Sequence, residues 1–104
     1  MGEVVLTGVV VDEAGALSIE QLACACGAAV SWVRELVVEG ALVPAGEGES
    51  GWRFTSAHLA CARRVRRIQR DLDANIDAAI VIVNLLEEIE RLQARLKQAG
   101  VDLL

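Results

Sequence analysis

The fold is decided by residues 18–40, SIEQLACACGAAVSWVRELVVEG, which hold two short amphipathic segments on either side of a glycine. The first segment predicts a helix that begins after the N-cap residue Ser18 and stops at Gly27. Its apolar residues recur at helical spacing: Ile19, Leu22, Ala23 and Cys26. This half of the stretch is therefore expected to bury one face of a short helix.

The second segment predicts a helix from Trp32 to Glu39, with Ser31 as its N-cap and Gly40 at its end. Its apolar residues share one face: Val33, Leu36 and Val37. Two short helices joined by a glycine-containing turn are typical of a helix-turn-helix. Many DNA readers have this shape, so the other residues on the second helix decide whether this chain reads DNA.

The segments that flank the two helices predict short β-structure. EVVLTGVVVDE, residues 3–13, is rich in β-branched residues and ends in acidic ones, which favours a strand. ALVPAGEGESGWRFTS, residues 41–56, has apolar pieces on both sides of a Gly/Glu loop, as a small β-wing does. The strand, the helix-turn-helix and the wing together occupy residues 1–55.

Two longer helices complete a single domain of 104 residues. An Arg-rich helix covers residues 56–72 and starts at Thr55 or Ser56, and a long helix covers residues 75–99 with Asn75 as its cap. The expected fold is therefore mainly α: a winged helix-turn-helix with a short N-terminal strand and a small β-wing, followed by a long C-terminal dimerisation helix.

The dimerisation role follows from two apolar stripes on the long helix. A chain of this length, 54% hydrophobic, hides only about two-thirds of its unfolded surface in its own core. We therefore expect one stripe to pack on the helix-turn-helix: Ile76, Ile80, Val83 and Leu86. The other has the spacing of an a/d seam that ends near Ala99 and is expected to pair with a second copy of the chain: Ile82, Leu85, Ile89, Leu92 and Leu96.

The charge distribution disfavours DNA as the partner. The formal net charge is −5; residues 1–62 carry eight acidic and two basic groups, and residues 63–104 carry seven acidic and eight basic groups. DNA is held mainly by Lys and Arg that release counterions from its phosphates, so an N-terminal part with six excess negative charges suits a basic partner better.

Targeting and membrane signals are not found in the sequence. The N-terminus has no positively charged n-region before its apolar run, which argues against a secretory signal. The longest uncharged run, Gln21–Val33, has 13 residues, fewer than the roughly 18–20 of a membrane span. An odd number of cysteines, three, favours reduced thiols. We therefore expect a cytoplasmic protein that does not contact a membrane.

Few residues suit catalysis or metal binding. The sole histidine, His58, lies near the start of the Arg-rich helix, where packing or capping is its expected role. Cys24 and Cys26 point about 200° apart on a helix, so they do not bind one metal, and Cys61 adds a single further sulfur. AGEGESG lacks the lysine and the following helix of a phosphate loop. We expect no enzymatic activity, no metal and no cofactor.

The order of these elements resembles the MerR-like winged-helix group and, within it, the chaperone modulatory proteins of the CbpM family. Five segments carry the resemblance, in family order: LACACG (22–27), LVVEGALVP (36–44), WRF (52–54), RRVRRIQRDL (63–72) and VNLLEEIERLQARL (83–96). They span nearly the whole chain, and their ordered set is more specific than any one of them.

The resemblance implies a function and explains the unusual second helix. CbpM proteins bind the J-domain of a DnaJ-like cochaperone and keep it from its DnaK-type chaperone. In MerR-type DNA binders, the matching helix carries Arg followed by two aromatic residues; here Arg34 is followed by Glu35 and Leu36, which offer phosphates no donors. We therefore expect Glu35 and Glu39, with Arg34 and Glu20, to meet the basic J-domain helix.

The alternative is a MerR-like transcription regulator that uses Arg34, Arg53 and the helix around Arg63–Arg70 on DNA. RRVRRIQR places five arginines in eight residues, and three uses stay open for them. They pair with acidic residues of neighbouring helices and brace the dimer, they hold acidic parts of a protein partner, or they contact a DNA backbone.

Overall fold

The computed structural model describes residues 17–100 and, before them, the backbone of two short strands. Its elements are β1 (Glu3–Leu6), β2 (Val9–Asp12), α1 (Ile19–Cys26), α2 (Val30–Val38), α3 (Gly48–Gly51), α4 (Ser56–Leu72) and α5 (Ile76–Gln98). The chain is mainly helical, as the sequence predicts. The order of the four main helices also follows the prediction.

The N-terminal β-structure differs from the single strand predicted over residues 3–13. β1 and β2 form an antiparallel pair, in which Glu3 lies opposite Asp12 and Leu6 lies opposite Val9. Gly8 separates the two β-branched runs in the sequence. A glycine inside a β-branched run indicates either a bulge in one strand or a turn between two strands. The sequence pattern alone does not distinguish the two.

The helix-turn-helix forms where the sequence predicts it. Ser18 caps α1 in a capping box: its side chain accepts a hydrogen bond from the Gln21 N–H, and its own N–H donates to Gln21 Oε1. Gly27 ends α1 in the left-handed conformation, with φ 63°. The axes of α1 and α2 differ by 109°, which is the crossing of this motif.

The predicted cap of the second helix is wrong. α2 begins at Val30, so Ser31 lies inside its first turn, and the residue before the helix, Ala29, makes no side-chain capping bond. The apolar face is as predicted, because Val33 and Leu36 are fully buried. Only two residues separate Gly27 from α2, so the helix starts at Val30, one residue before Ser31, the side chain best suited to cap it.

The predicted β-wing is not confirmed. Residues 41–56 are all described, and their only β-contacts are two isolated bridges, Ala45 with Arg53 and Leu17 with Phe54. Ala45 and Arg53 exchange both of their backbone hydrogen bonds, at 3.0 and 2.9 Å, but the pairing does not continue to their neighbours. Phe54 exchanges its backbone hydrogen bonds with Leu17, at 2.9 and 3.3 Å, and α3 occupies the tip of the loop.

The core lies where α1, α2, α4 and the first half of α5 meet. Its largest fully buried side chains are Phe54, Leu17, Leu22, Leu36, Leu42, Leu59, Val33, Val65 and Val83. Phe54 enters this core from the loop before α4 and makes edge-to-face contacts with Trp52 and His58. A single aromatic ring therefore connects the loop to the helices.

α5 uses opposite sides for its two apolar stripes. Ile80 and Val83 are buried, and the seam centred near Ile89 lies about 150° away around the helix. The seam is exposed: Leu85, Ile89, Leu92 and Leu96 retain 36–57% of their accessible surface. Among the described residues no single helix has the length and composition of a membrane span; α1 and α2 have that composition only when taken together across their bend.

Candidate protein-binding surfaces

The outer side of α2 carries an acidic face, which we define as Glu35, Val38 and Glu39. Glu35 and Glu39 are four residues apart on one side of the helix and are both exposed. Val38 lies about 60° from Glu35 around the helix and keeps 72% of its surface exposed. The α2 acidic face therefore combines two carboxylates with an exposed aliphatic side chain, which the sequence analysis did not single out.

Arg34, the only basic residue of α2, is paired within the chain. Its guanidinium makes two hydrogen bonds to the Glu49 carboxylate, and the Nη2 to Oε2 distance is 2.9 Å. The hydrogen bond from Arg34 lowers the pKa of the Glu49 carboxyl and raises that of Arg34. Because the two charges cancel locally, the α2 acidic face keeps the charge of its two free carboxylates.

Glu20, the fourth predicted contact residue, lies on a different helix. It is exposed in the first turn of α1, where a carboxylate interacts favourably with the positive end of the helix dipole. Glu35 lies on α2 and Glu39 at its C-terminal end, so Glu20 does not share their helix face. The structure thus brings Glu35 and Glu39 together and leaves Glu20 as a separate acidic position.

Two arginines of α4 hold the C-terminal end of α1. Arg63 donates to the Ala25 carbonyl at 3.1 Å, and Arg66 donates to the Gly27 carbonyl at 3.3 Å. α1 has no basic residue in its own last turn, so these side chains supply positive charge at the negative end of its dipole. This use of the Arg-rich helix was not among the three considered from the sequence.

Arg64 pairs with an acidic residue of a neighbouring helix, which is one of the three uses predicted for these arginines. It makes two hydrogen bonds to the Glu90 carboxylate of α5, at 3.1 and 2.7 Å. The pair is largely exposed to solvent, which screens the two charges, so its contribution to stability is small. It lies on the side of α5 that faces α4, away from the exposed seam.

Trp32 joins α2 to α4. Its indole N–H donates to Gln69 Oε1 at 2.7 Å, and the Arg66 guanidinium lies 5.9 Å from its ring centre. Trp32 is half-buried, so much of its ring is committed to contacts within the chain. A buried or half-buried indole N–H usually finds an acceptor, but nothing in the sequence identifies Gln69, which is 37 residues away.

The histidine lies apart from these surfaces, whereas Cys26, the last residue of α1, lies close to Arg63 and Arg66. His58 completes a capping box with Thr55: its Nδ1 accepts from the Thr55 N–H at 2.9 Å, and burial lowers its pKa. Burial also raises the pKa values of the Cys26 and Cys61 thiols. Among the described residues no three His, Cys, Asp or Glu side chains come together as metal ligands.

Comparison with known proteins supports the resemblance drawn from the ordered motifs. Residues 17–99 match the family profile described as MerR HTH family regulatory protein. Two proteins named chaperone modulatory protein CbpM, from Coxiella burnetii strains Dugway 5J108-111 and RSA 331 / Henzerling II, are each 26% identical over 97 residues. The alignments cover 93% of this chain and 92% of each relative. No solved structure gives a significant match.

Proposed function

The chain belongs to the family of MerR helix-turn-helix regulatory proteins, and from this premise we propose that it modulates a chaperone system by stoichiometric binding, without turnover. Its partner is the J-domain of a DnaJ-like cochaperone, which the α2 acidic face holds away from its DnaK-type chaperone. The proposal rests on the similarity to proteins named chaperone modulatory protein CbpM. It places the protein in the cytoplasm, with no cofactor, as the sequence predicts.

The observation that carries the proposal is the α2 acidic face itself. α2 is the second helix of the helix-turn-helix, so Glu35 and Glu39 are exposed on the element that DNA readers insert into the major groove. Carboxylates there repel a phosphate backbone and attract a basic helix. Charge complementarity of this kind orients the partner and speeds association, even where it adds little net affinity.

Exposed Val38 gives the same surface an apolar contact. An aliphatic side chain beside two carboxylates matches a helix whose lysines or arginines flank apolar positions, because the stems of long basic side chains also pack on apolar surface. Arg34 does not oppose such a partner, since Glu49 already neutralises it. Glu20 belongs to this proposal only as a peripheral acidic group.

The seam on α5 supports a homodimer as the working form. Leu85, Ile89, Leu92 and Leu96 remain exposed in one chain, and their spacing matches the contact line of paired helices. We propose that two copies pair through this seam, together with half-buried Ile82, and carry one α2 acidic face each. A dimer of this kind binds two J-domains, or two parts of a dimeric cochaperone.

A DNA-binding regulator is the second candidate, and the family assignment favours it. The arginines of α2 and of the loop after it are poorly placed for it: Arg34 is paired with Glu49, and Arg53 donates to the Trp52 carbonyl at 2.9 Å. A basic stripe on α4 remains, but contacts to the phosphate backbone alone carry no sequence information. The modulator function therefore explains the exposed carboxylates on α2, which the DNA-binding function does not.

The test is the charge reversal Glu35→Lys with Glu39→Lys. Both side chains are exposed and point away from buried Val33 and Leu36, so the fold should survive. We expect affinity for a labelled J-domain to fall by several kcal/mol, since two attractions become two repulsions. Affinity for mixed-sequence duplex DNA should rise, and its salt dependence should steepen. Fluorescence titration at physiological salt measures both.

A matched control reverses two exposed carboxylates elsewhere, Asp71→Lys with Glu87→Lys, and so gives the same change in net charge. J-domain binding by this control should stay close to that of the unsubstituted protein. Unchanged J-domain affinity in a folded Glu35→Lys, Glu39→Lys protein would place the interface elsewhere. Saturable duplex binding by the unsubstituted protein, with no J-domain binding, would favour the DNA-binding regulator.

A further inference from the structure

A second charged surface, of the opposite sign, lies between α4 and the C-terminal end of α1. Two adjoining clefts of about 470 and 260 Å³ open there, and both are lined by Cys26, Arg66 and Arg70. Arg63 and Arg67 line the smaller cleft. No Asp or Glu lines either cleft, although the chain has a net charge of −5. We call the two clefts together the arginine cleft.

The donors of the arginine cleft are only partly used within the chain. Arg67 and Arg70 are exposed and make no hydrogen bond or ion pair with any described residue. Asp71 and Asp73 are close in sequence but form no salt bridge with them. Arg66 uses one N–H on the Gly27 carbonyl, and a guanidinium has five N–H donors. Several donors therefore remain for an external acceptor.

The shape of the cleft suits an extended chain of carboxylates. Arg63, Arg66 or Arg67, and Arg70 follow one stripe of α4 at spacings of three and four residues, a length of about 10 Å. This is the length of about three extended residues. All the basic groups are arginine, whose planar guanidinium binds a carboxylate through two parallel hydrogen bonds.

We propose that the arginine cleft binds an acidic, Asp/Glu-rich segment of a protein partner. Nucleic acid fits less well, because the neighbouring helix α2 carries the exposed carboxylates of the α2 acidic face. The one arginine of α2, Arg34, is neutralised by Glu49. A short acidic segment contacts only the cleft and avoids that face. The inference does not depend on the proposed function, since it concerns a different helix and a ligand of opposite charge.

The test uses a fluorescein-labelled decaglutamate peptide and fluorescence anisotropy at physiological salt. We expect saturable binding that Arg67→Glu with Arg70→Glu weakens by at least about tenfold, since two attractive charges become repulsive. Neither substitution removes a hydrogen bond or ion pair with a described residue, and the unfavourable negative charge that Arg70→Glu places in the last turn of α4 is matched by the control below, so the fold should survive. The control Arg95→Glu with Lys97→Glu makes the same change in net charge at exposed positions of α5, and we expect it to bind nearly as well as the unsubstituted chain.

A second readout locates the peptide. In a Trp52→Phe protein, Trp32 is the only tryptophan, and it lies 5.9 Å from the Arg66 guanidinium. Saturating peptide should change its emission in step with the anisotropy. Equal weakening in both charge-reversed proteins, or an unchanged Trp32 signal, would overturn the proposal. The proposal would also be overturned if a mixed-sequence DNA duplex bound more tightly than the peptide and Arg67→Glu with Arg70→Glu abolished that binding. The cleft would then be a nucleic-acid site.

Discussion

At the scale of single residues, the loop between α2 and α4 depends most on Gly46. Its φ of +92° lies in the left-handed region, and a Cβ built there would lie 2.2 Å from the Gly51 carbonyl oxygen. Gly48, two residues away, also has a positive φ, +68°, but a Cβ there would meet nothing within 4 Å. The two glycines therefore separate backbone strain from steric overlap in one loop.

We predict that Gly46→Ala destabilises the protein more than Gly48→Ala does. Both substitutions force an L-residue into a left-handed conformation, at a cost of about 1–2 kcal/mol. Gly46→Ala must in addition move the backbone at Gly51, which adds about 1–3 kcal/mol. Urea unfolding followed by tryptophan fluorescence measures the free energies of unfolding. Equal losses in the two variants would contradict the close approach of Gly46 to Gly51.

The sequence predicts three of the four N-caps, because a cap acts within three or four residues of itself; Ser31 is the exception, since α2 starts one residue before it. Ser18, Thr55 and Asn75 all cap the helices assigned to them. It does not predict the contacts of Arg34 and Trp32, because their partners lie 15 and 37 residues away along the chain. A charge or an indole N–H indicates that a partner is needed, and only the fold determines which residue supplies it.

At the scale of elements, the start of α4 couples helix capping to pH. His58 Nδ1 accepts the Thr55 N–H, and His58 N–H donates to Thr55 Oγ1 at 3.2 Å. Only the unprotonated Nδ1 can accept a hydrogen bond. Burial also favours the neutral form, so the pKa of His58 in the folded chain is below its ordinary value of 6.5. Protonation therefore opposes the folded state.

We predict that this helix end loses stability in mild acid. Since the folded pKa is lowered, the contribution of His58 is fully present above pH 6.5, falls as the pH drops below that value, and levels off below the folded pKa. His58→Gln keeps an acceptor for the Thr55 N–H and does not titrate. The free energy of unfolding between pH 7.5 and pH 5 should fall more steeply with His58 than with Gln. Parallel pH profiles would show that His58 does not contribute this term.

Among the elements, the loop at residues 41–56 departs most from its sequence pattern. Apolar pieces around a Gly/Glu loop predict a β-wing, but the pairing within the loop stops at the single Ala45–Arg53 bridge, and Phe54 pairs with Leu17 instead. Pairing with a segment before α1 is a long-range contact, and the local pattern of apolar residues does not predict such contacts. The same limit applies to the candidate surfaces: the sequence indicated the two α2 carboxylates and the run of arginines, but not that the arginines and the end of α1 together form a cleft.

At the scale of the whole molecule, one acidic surface and one basic surface lie on different helices. The α2 acidic face and the arginine cleft on α4 are separate surfaces, although Trp32 and Gln69 join the two helices that carry them. Charges of one sign concentrated on each helix give a stronger local field than the same charges intermixed. A chain with a net charge of −5 can thereby present both an acidic and a basic contact to one partner or to two.

The exposed seam of α5 gives the last prediction, which concerns assembly. Ile89 and Leu92 keep 49% and 44% of their surfaces exposed in one chain, so Ile89→Lys with Leu92→Lys should leave the folded monomer intact. If two copies pair through the seam, these substitutions remove apolar burial worth about 1.5–3 kcal/mol for each side chain that is fully buried and place like charges together. We therefore expect light scattering to give twice the mass of one 11.1 kDa chain for the unsubstituted protein and the mass of one chain for the variant.

Val38→Lys with Val43→Lys changes two other exposed aliphatic residues and should remain dimeric. An unsubstituted protein with the mass of one chain at micromolar concentration would contradict the dimer and leave the seam free for a different partner.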